Sequence, residues 1–260
     1  MCFELLNGER HDFPVCVSIP HSGTLLPEEM EKLLLQGVVS ANTDWFLPEL
    51  YGFLERRGVT VLIDRYSRYA ADVNRDPTRC GVGSYTKSAV YERTTFERPM
   101  YAEALTEAQI AARIERCHAP YHAALRRMLD DKLRVFGRAY LFDLHSFMGA
   151  YHGDTGADVV LGTAEGRACT PQHTRRVREA FEGQGYTVSC DRPFGGGYIT
   201  RHYGGGAVEA LLVELRYRCY LCDRTFGEEV LRRSDVDEEL FAQARERLGN
   251  VFETILNGVV

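Results

Sequence analysis

The sequence predicts an α/β fold with a mostly parallel central sheet, and three observations carry that expectation. Several short strands are written as continuous apolar runs, as strands covered on both faces are. They alternate along the chain with segments of helical periodicity, the order that builds layered α/β architectures. No repeat, low-complexity tract or linker interrupts the 260 residues. The expectation is one domain, residues 1–260, long enough to bury a substantial core.

The elements follow in order. Val15-Cys16-Val17-Ser18-Ile19 is rich in β-branched residues and is stopped by Pro20-His21-Ser22-Gly23, a turn-forming cluster. Pro27-Glu28-Glu29-Met30 opens a short helix to about Leu35, with acidic side chains where the helix dipole favours them. Asn42 or Thr43 stands where it can cap a helix running through Asp44-Trp45-Phe46 to Arg57, ended by Gly58. Val59-Thr60-Val61-Leu62-Ile63-Asp64 reads as the next strand and leads into a polar loop that holds Arg65, Arg68, Asn74 and Arg75. Arginines with an asparagine before a turn-forming Asp76-Pro77 fit a loop lining something anionic, and equally a solvated loop.

Residues 78–100 lack periodicity and read as a long excursion or flap. From Thr106 the spacing of Ile110, Ile114, Leu125, Met128, Leu129 and Leu133 predicts helix, which Pro120 must kink or split. Ala139-Tyr140-Leu141-Phe142 is a buried strand running into Asp143-Leu144-His145-Ser146, and residues 157–163 read as another strand. Thr170 and Pro171 start a helix through Phe181. A strand at 186–190 empties into a loop containing Gly195-Gly196-Gly197, Tyr198 and Arg201, where the glycines permit close backbone approach. Residues 210–215 form the last strand, and an amphipathic helix from about Ser234 to Leu256 closes the chain.

Composition narrows the function classes. A net charge of −6 and a pI near 5.8 provide no overall basic field for nucleic acid or an anionic membrane. No apolar run approaches the roughly 20 residues that span a bilayer, and Met1-Cys2-Phe3-Glu4-Leu5-Leu6 does not read as a secretory signal. A soluble, cytoplasmic protein is expected, with homo-oligomerisation left open. The eight cysteines then read as reduced thiols packed as small hydrophobes. Cys219-Tyr220-Leu221-Cys222 has CxxC spacing, but no second pair completes a zinc site.

The chemistry gathers at strand ends. His21, His145 and Glu214 each lie at or just beyond the end of an apolar strand, and the Arg68 to Arg75 loop follows another. In open parallel sheets ligands bind beyond the carboxyl ends of the strands. A histidine that merely hydrogen-bonds within the core is the bland account of either one alone. Core packing does not require four strand ends to carry polar chemistry together. Two histidines and a carboxylate are a common ligand set for a catalytic zinc. His21 and His145 supply the imidazoles; Asp44 is the preferred carboxylate, as a first-turn side chain projecting from a helix start. Asp143 is its rival, being on the same strand face as His145, and it could instead orient that imidazole. Glu214 is costly to bury unless paired with Arg216 or Arg218, or functional. Beside a metal-activated water it would serve as general base.

Six blocks in order now resemble one family. They are Val17-Ser18-Ile19-Pro20-His21-Ser22-Gly23-Thr24, Asn42-Thr43-Asp44-Trp45, Ser67-Arg68-Tyr69 with Asp72-Val73-Asn74-Arg75-Asp76-Pro77, Asp143-Leu144-His145-Ser146, Gly196-Gly197-Tyr198-Ile199-Thr200-Arg201-His202-Tyr203-Gly204 and Val213-Glu214-Leu215. Over about residues 15 to 220 the chain is similar to the N-formylglutamate amidohydrolases, a family that resembles the zinc carboxypeptidases in fold. The resemblance implies a mixed, mostly parallel central sheet with helices on both faces and one divalent metal, zinc, at the strand ends. It implies His21 and His145 as ligands, Glu214 as the catalytic carboxylate and Asn74-Arg75 as a holder of substrate carboxylate. The carboxypeptidase His-x-x-Glu pair is absent, since Thr24 stands where its glutamate would be.

The function so implied is hydrolysis of N-formyl-L-glutamate to formate and L-glutamate, a step of histidine degradation. Arg75 and Arg201, with Arg68, would grip the two carboxylates of this small acidic N-acyl amino acid, and Tyr198 would form a wall over it. Two other readings stand beside it. A related metal-dependent amidohydrolase would cleave another N-acyl amino acid or a short peptide. A metal-free amino-acid-binding or scaffold protein would contain no zinc and recover no activity with it.

Overall fold

In the computed structural model, which describes residues 2–78, 85–149, 153–222 and 227–259, seven strands form one sheet. They are β1 (Phe3–Leu6), β2 (Val15–Ile19), β3 (Thr60–Asp64), β4 (Ala139–Phe147), β5 (Val159–Gly162), β6 (Val188–Cys190) and β7 (Val208–Arg216), in the order β1-β3-β2-β4-β7-β5-β6. The central strands β3, β2, β4 and β7 are mutually parallel, while β1 joins β3 and β5 joins β7 in antiparallel fashion. The sheet is therefore mixed and mostly parallel. The chain leaves β2 towards β3 on one side and β4 towards β7 on the other. The carboxyl ends of β2 and β4 thus form the switch point where an α/β sheet opens a crevice.

Alternation along the strands sorts side chains onto two faces. Tyr140, Phe142 and Leu144 of β4 join one core with α2 (Leu47–Leu50), α3 (Phe53–Arg56), α6 (Pro171–Gly183) and α8 (Glu238–Val259). Ala139 and Leu141 join a second core, on the other face, with α5 (Ala119–Phe136) and α7 (Tyr198–Tyr203). Met30 of α1 (Glu28–Leu33) belongs to a third cluster with Tyr69, Tyr91 and Met100. Helices cover both faces, as the resemblance implies.

The local signals act as expected at several ends. Thr106 forms a capping box with Gln109 at the start of α4 (Glu107–Arg113), and the Thr170 hydroxyl accepts from His173 N at 3.2 Å. The segment carrying Pro120 is split: α4 passes into a π-helical turn, Ile114–His118, and the proline sits in the first turn of α5, where its missing N–H costs least.

Other expectations need correction. The helix through Asp44-Trp45-Phe46 does not form, because Phe46 adopts a left-handed φ of 59° and helix resumes only at Leu47. The glycine-rich loop is interrupted by α7, and β1 has no counterpart in the sequence reading. Described residues 85–100 contain turns and an isolated bridge but no helix or strand, whereas residues 79–84 of the expected flap lie outside the described residues. No described helix is long and apolar enough to cross a membrane.

Candidate active site

Asp143 and His145 continue the face of β4 that carries Ala139 and Leu141, so the second core turns polar where the strand ends. His145 stands opposite Glu214 in the β4–β7 register, and Ser18 of β2 stands opposite Asp143. His21 follows β2 by two residues, just past Pro20. Asp44 reaches the same place from its loop, where its N–H donates to the His21 carbonyl at 3.0 Å and its carbonyl accepts from the Ser22 hydroxyl at 2.6 Å. Two loop-to-loop hydrogen bonds thus do the positioning that a helix start was expected to do.

His21, Asp44 and His145 are buried, and one ligand atom from each lies within 4.8 Å of the others. Asp44 Oδ2 is 3.0 Å from His145 Nδ1 and 3.8 Å from His21 Nδ1. The two Nε2 atoms point away to carboxylates, His21 to Asp72 at 2.7 Å and His145 to Asp143 at 3.0 Å. Metal-binding histidines almost always show this pattern, with the outer nitrogen held by a carboxylate that fixes the tautomer. Asp143 therefore stands behind an imidazole, and Asp44 takes the place in the donor group.

The charge balance also fits a cation. Burial opposes charge on His145, but Asp143, hydrogen bonds to Asp143 and Asp44, and Glu214 together raise its pKa well above the ordinary value. Burial and Arg68 bring His21 down to about 4 against the pull of Asp72, leaving the neutral ring that metals take. Asp72 is kept well below the usual carboxylate range: burial would raise it, but His21, Arg68 and Arg75 outweigh that. Glu214 is pushed up to about 8, by burial first and then by Asp44 and Asp143, against His145 and Arg68. Its Oε2 is buried without a hydrogen-bond partner. Carboxylates crowding one imidazole, and an orphaned oxygen among them, are what a divalent ion and its water would satisfy.

His21, Asp44, His145 and Glu214 line a cavity of about 330 Å³ with Arg68, Asn74, Arg75, Phe194 and the Gly195-Gly196-Gly197 run. A second, more open cavity of about 440 Å³ adjoins it, sharing Asn74, Arg75, Thr86, Gly196 and Gly197 and adding Lys87, Tyr198, Arg201 and His202. Arg75 donates from Nε to the Tyr85 carbonyl and from Nη1 to the Asn74 carbonyl, both at 3.1 Å. Arg201 donates from Nε to the Gly196 carbonyl at 3.1 Å. Among the described residues neither arginine makes an ion pair, so both keep donors for an anion.

Arg68 is more committed, since its Nη2 reaches Asp72 at 2.9 Å while its Nε is buried without a partner. Asn74 is engaged on both sides: Oδ1 accepts from Ile199 N at 2.9 Å, and Nδ2 donates to Asp143 Oδ2 at 3.2 Å. Gly197 packs so closely on that amide that a Cβ would overlap it.

Some residues of the site carry no clear sequence signal. Asp72 stands among the resembling blocks, yet nothing in its spacing announces that it backs His21. The Tyr91 hydroxyl donates to Asp72 from within the aperiodic 78–100 stretch. Cys219 and Cys222 are free thiols outside the candidate metal group.

Fold and site together define a class: an α/β protein with a buried His–Asp–His group that could hold a metal ion, a carboxylate oxygen beside it without a hydrogen-bond partner, and two arginines, Arg75 and Arg201, that make no ion pair among the described residues, at the carboxyl ends of parallel strands. Within that class the chain belongs to the N-formylglutamate amidohydrolase family, whose model matches residues 13–221. It is 31% identical over 255 residues to an N-formylglutamate deformylase of Pseudomonas putida, covering 93% of this chain and 95% of that protein. It is 32% identical to an N-formylglutamate deformylase of Pseudomonas aeruginosa, covering 94% of this chain and 95% of that protein. The crystal structure of N-formylglutamate amidohydrolase from Ralstonia eutropha JMP134 superimposes with a TM-score of 0.83 at 26% identity, covering 99% of this chain and 97% of that one. A gene product of Agrobacterium tumefaciens shares the fold, with a TM-score of 0.72 at 17% identity over 99% of this chain and 96% of its own.

Proposed function

We propose that this protein hydrolyses the formyl amide of N-formyl-L-glutamate, giving formate and L-glutamate, with one divalent ion, zinc, held by His21, Asp44 and His145. The observation that carries the reading is that the three donors, Glu214 and Arg75 share one cavity. The substrate is taken from the Pseudomonas relatives, named N-formylglutamate deformylase.

Bound there, the ion supplies a lower pKa for water and polarises the formyl C=O. The chain does the rest. Glu214 Oε2 accepts a proton from the attacking water as its oxygen bonds to the formyl carbon. The same carboxyl then returns the proton to the amide nitrogen as the C–N bond breaks, so glutamate leaves as an amine. Burial makes Glu214 a stronger base than an exposed glutamate.

Arg75, lining both cavities, and Arg201, lining the outer one, hold the two substrate carboxylates. Arg68 adds positive charge, Asn74 fixes the loop between them, and Tyr198 with the preceding glycines walls the substrate. A cytoplasmic setting belongs to the same proposal, and the described cysteines are free thiols. Amine release from N-formylglutamate, N-formylaspartate, N-acetylglutamate and N-succinylglutamate, with formate release from the two formyl compounds, tests the reading. N-formylglutamate is expected to have the highest kcat/KM, and an analogue turned over equally well or better overturns the substrate assignment.

A further inference from the structure

Two histidines outside the donor group grip the segment that carries Arg75. His118 ends the π-helical turn Ile114–His118, and His122 follows in α5. Their rings stack with centroids 4.3 Å apart and planes 23° apart. Each places Nε2 on a main-chain carbonyl of one short segment: His118 on Arg75 O at 3.0 Å, His122 on Val73 O at 2.8 Å. The two carbonyls flank Asn74. A carbonyl only accepts, so both rings carry their proton on Nε2. The Tyr203 hydroxyl, 2.9 Å from His122 Nδ1, donates to the other side of that ring. Burial lowers the pKa of both histidines, His122 to about 3 with help from the His118 charge. They act as neutral donors.

The same rings tie this segment to α7. His122 packs edge-on against Tyr198 at 5.3 Å and stacks on Tyr203 at 5.7 Å. From the far side, Tyr198 N donates to Asn74 O at 3.1 Å and Ile199 N to Asn74 Oδ1 at 2.9 Å. Neither His118 nor His122 lines either cavity, so their influence on a substrate passes through the loop. Arg75 is sensitive to that loop, because its Nη1 is hydrogen-bonded to the Asn74 carbonyl of the segment the histidines hold. π-Helical turns are rare and concentrate at functional sites; here one ends on a residue of the clamp.

We propose that His118 and His122 are positioning residues that set the guanidinium of Arg75, and through it the preference for a substrate bearing a free carboxylate. The inference rests on the reading of Arg75 as a carboxylate holder. A displacement of about 1 Å at such a group is enough to cost roughly 10²-fold. The loss falls on substrate capture, because neither ring touches Glu214 or the donor group.

The test compares His118→Phe, His122→Phe, His118→Gln and His122→Gln with wild type. Phe keeps the ring and deletes the donor, whereas Gln restores an N–H near the position of Nε2. Substrates are N-formylglutamate and its two mono-amides, N-formylglutamine and N-formylisoglutamine. The Phe variants are expected to raise KM for N-formylglutamate about 10- to 100-fold with kcat within about threefold. Selectivity falls similarly against the amide at the position Arg75 serves, and the Gln variants recover most of both. A fall in kcat with KM and selectivity unchanged, or Gln variants as impaired as Phe, overturns the proposal.

If a Phe variant does not fold, Tyr203→Phe carries the test by removing the hydroxyl that faces His122 Nδ1 and the His122 carbonyl while keeping the stacked ring. A rise in KM of about threefold or more supports the clamp, and an unchanged KM overturns it. Calorimetric binding of L-glutamate separates this inference from the catalytic reading. Wild type that binds glutamate without cleaving N-formylglutamate refutes only the reaction; weaker glutamate binding by the Phe variants then still supports the clamp, and unaltered binding refutes it. Wild type that neither binds glutamate nor cleaves N-formylglutamate refutes both.

Discussion

Replacing Asp143 by Asn removes one charge and almost no volume from the centre of the site. Asp143 is completely buried. Its Oδ1 accepts from the Ser18 hydroxyl at 3.0 Å, and its Oδ2 lies 3.0 Å from His145 Nε2 and 3.2 Å from Asn74 Nδ2. Asparagine can keep its oxygen towards His145 and turn its amide nitrogen to Ser18, whose own proton can pass to the Tyr121 hydroxyl 2.9 Å away. The lost element is the negative charge behind His145, which makes Nδ1 a better donor to a cation. Removing such a partner weakens metal binding about 10- to 100-fold, or about 1.4–2.7 kcal/mol. Zinc affinity is read by competition with a chromophoric chelator, with circular dichroism to check the fold. Wild-type affinity in Asp143→Asn would refute the carboxylate–imidazole account. A loss as complete as that of His145→Ala would refute it differently, by making Asp143 a ligand in its own right.

Glu214→Gln is expected to lower kcat by about 10²–10⁴ while zinc affinity changes little; kinetics with the metal titration check this, and a variant with wild-type kcat removes Glu214 as the base. Gly197→Ala puts a methyl group into the Asn74 amide, which should cost about 1–3 kcal/mol in urea unfolding and raise KM. Wild-type stability and KM would show that this packing is not needed. His173 is buried against Tyr140 and Phe142 with neither ring nitrogen hydrogen-bonded, and burial pushes it down to about 4. The unfolded chain therefore takes up the proton first, so the stability this residue leaves intact above its ordinary pKa of 6.5 is lost as the pH falls towards 4. The loss is about 2 kcal/mol at a pH of about 5. In unfolding at pH 5 and pH 8, His173→Phe should gain on wild type by that amount at the lower pH, and an unchanged difference refutes it.

What could be read from the sequence follows from where the energy lies. β2, β3 and β4 are buried along their whole length, so their apolar runs announce them and the polar residues at their ends stand out. His21 and His145 stand out for that reason, and Glu214 because it interrupts the apolar run of residues 210–213 and Leu215 in β7. β1 is an edge strand of four residues with half-exposed and exposed positions, too short and too polar to register. The loop holding Asp44 was misread because cap-like residues precede an aromatic run, while tertiary contacts place Phe46 in the left-handed region. α7 follows consecutive glycines and is anchored by Asn74, more than a hundred residues earlier in the chain, so no local window contains its cause. The clamp had a local trace, since His118 and His122 are four apart and share a helical face. What they hold, the Val73 and Arg75 carbonyls, is set by the fold alone.

The central claim is that His21, Asp44 and His145 hold one ion on which hydrolysis depends. Formate release from N-formylglutamate should be measured for wild type and His145→Ala as purified, after dialysis against a chelator, and after zinc is returned. Wild type is expected to lose activity on chelation and regain it with about one zinc per chain, and His145→Ala to stay inactive throughout. Full activity in the chelated wild type, or in His145→Ala, contradicts the account.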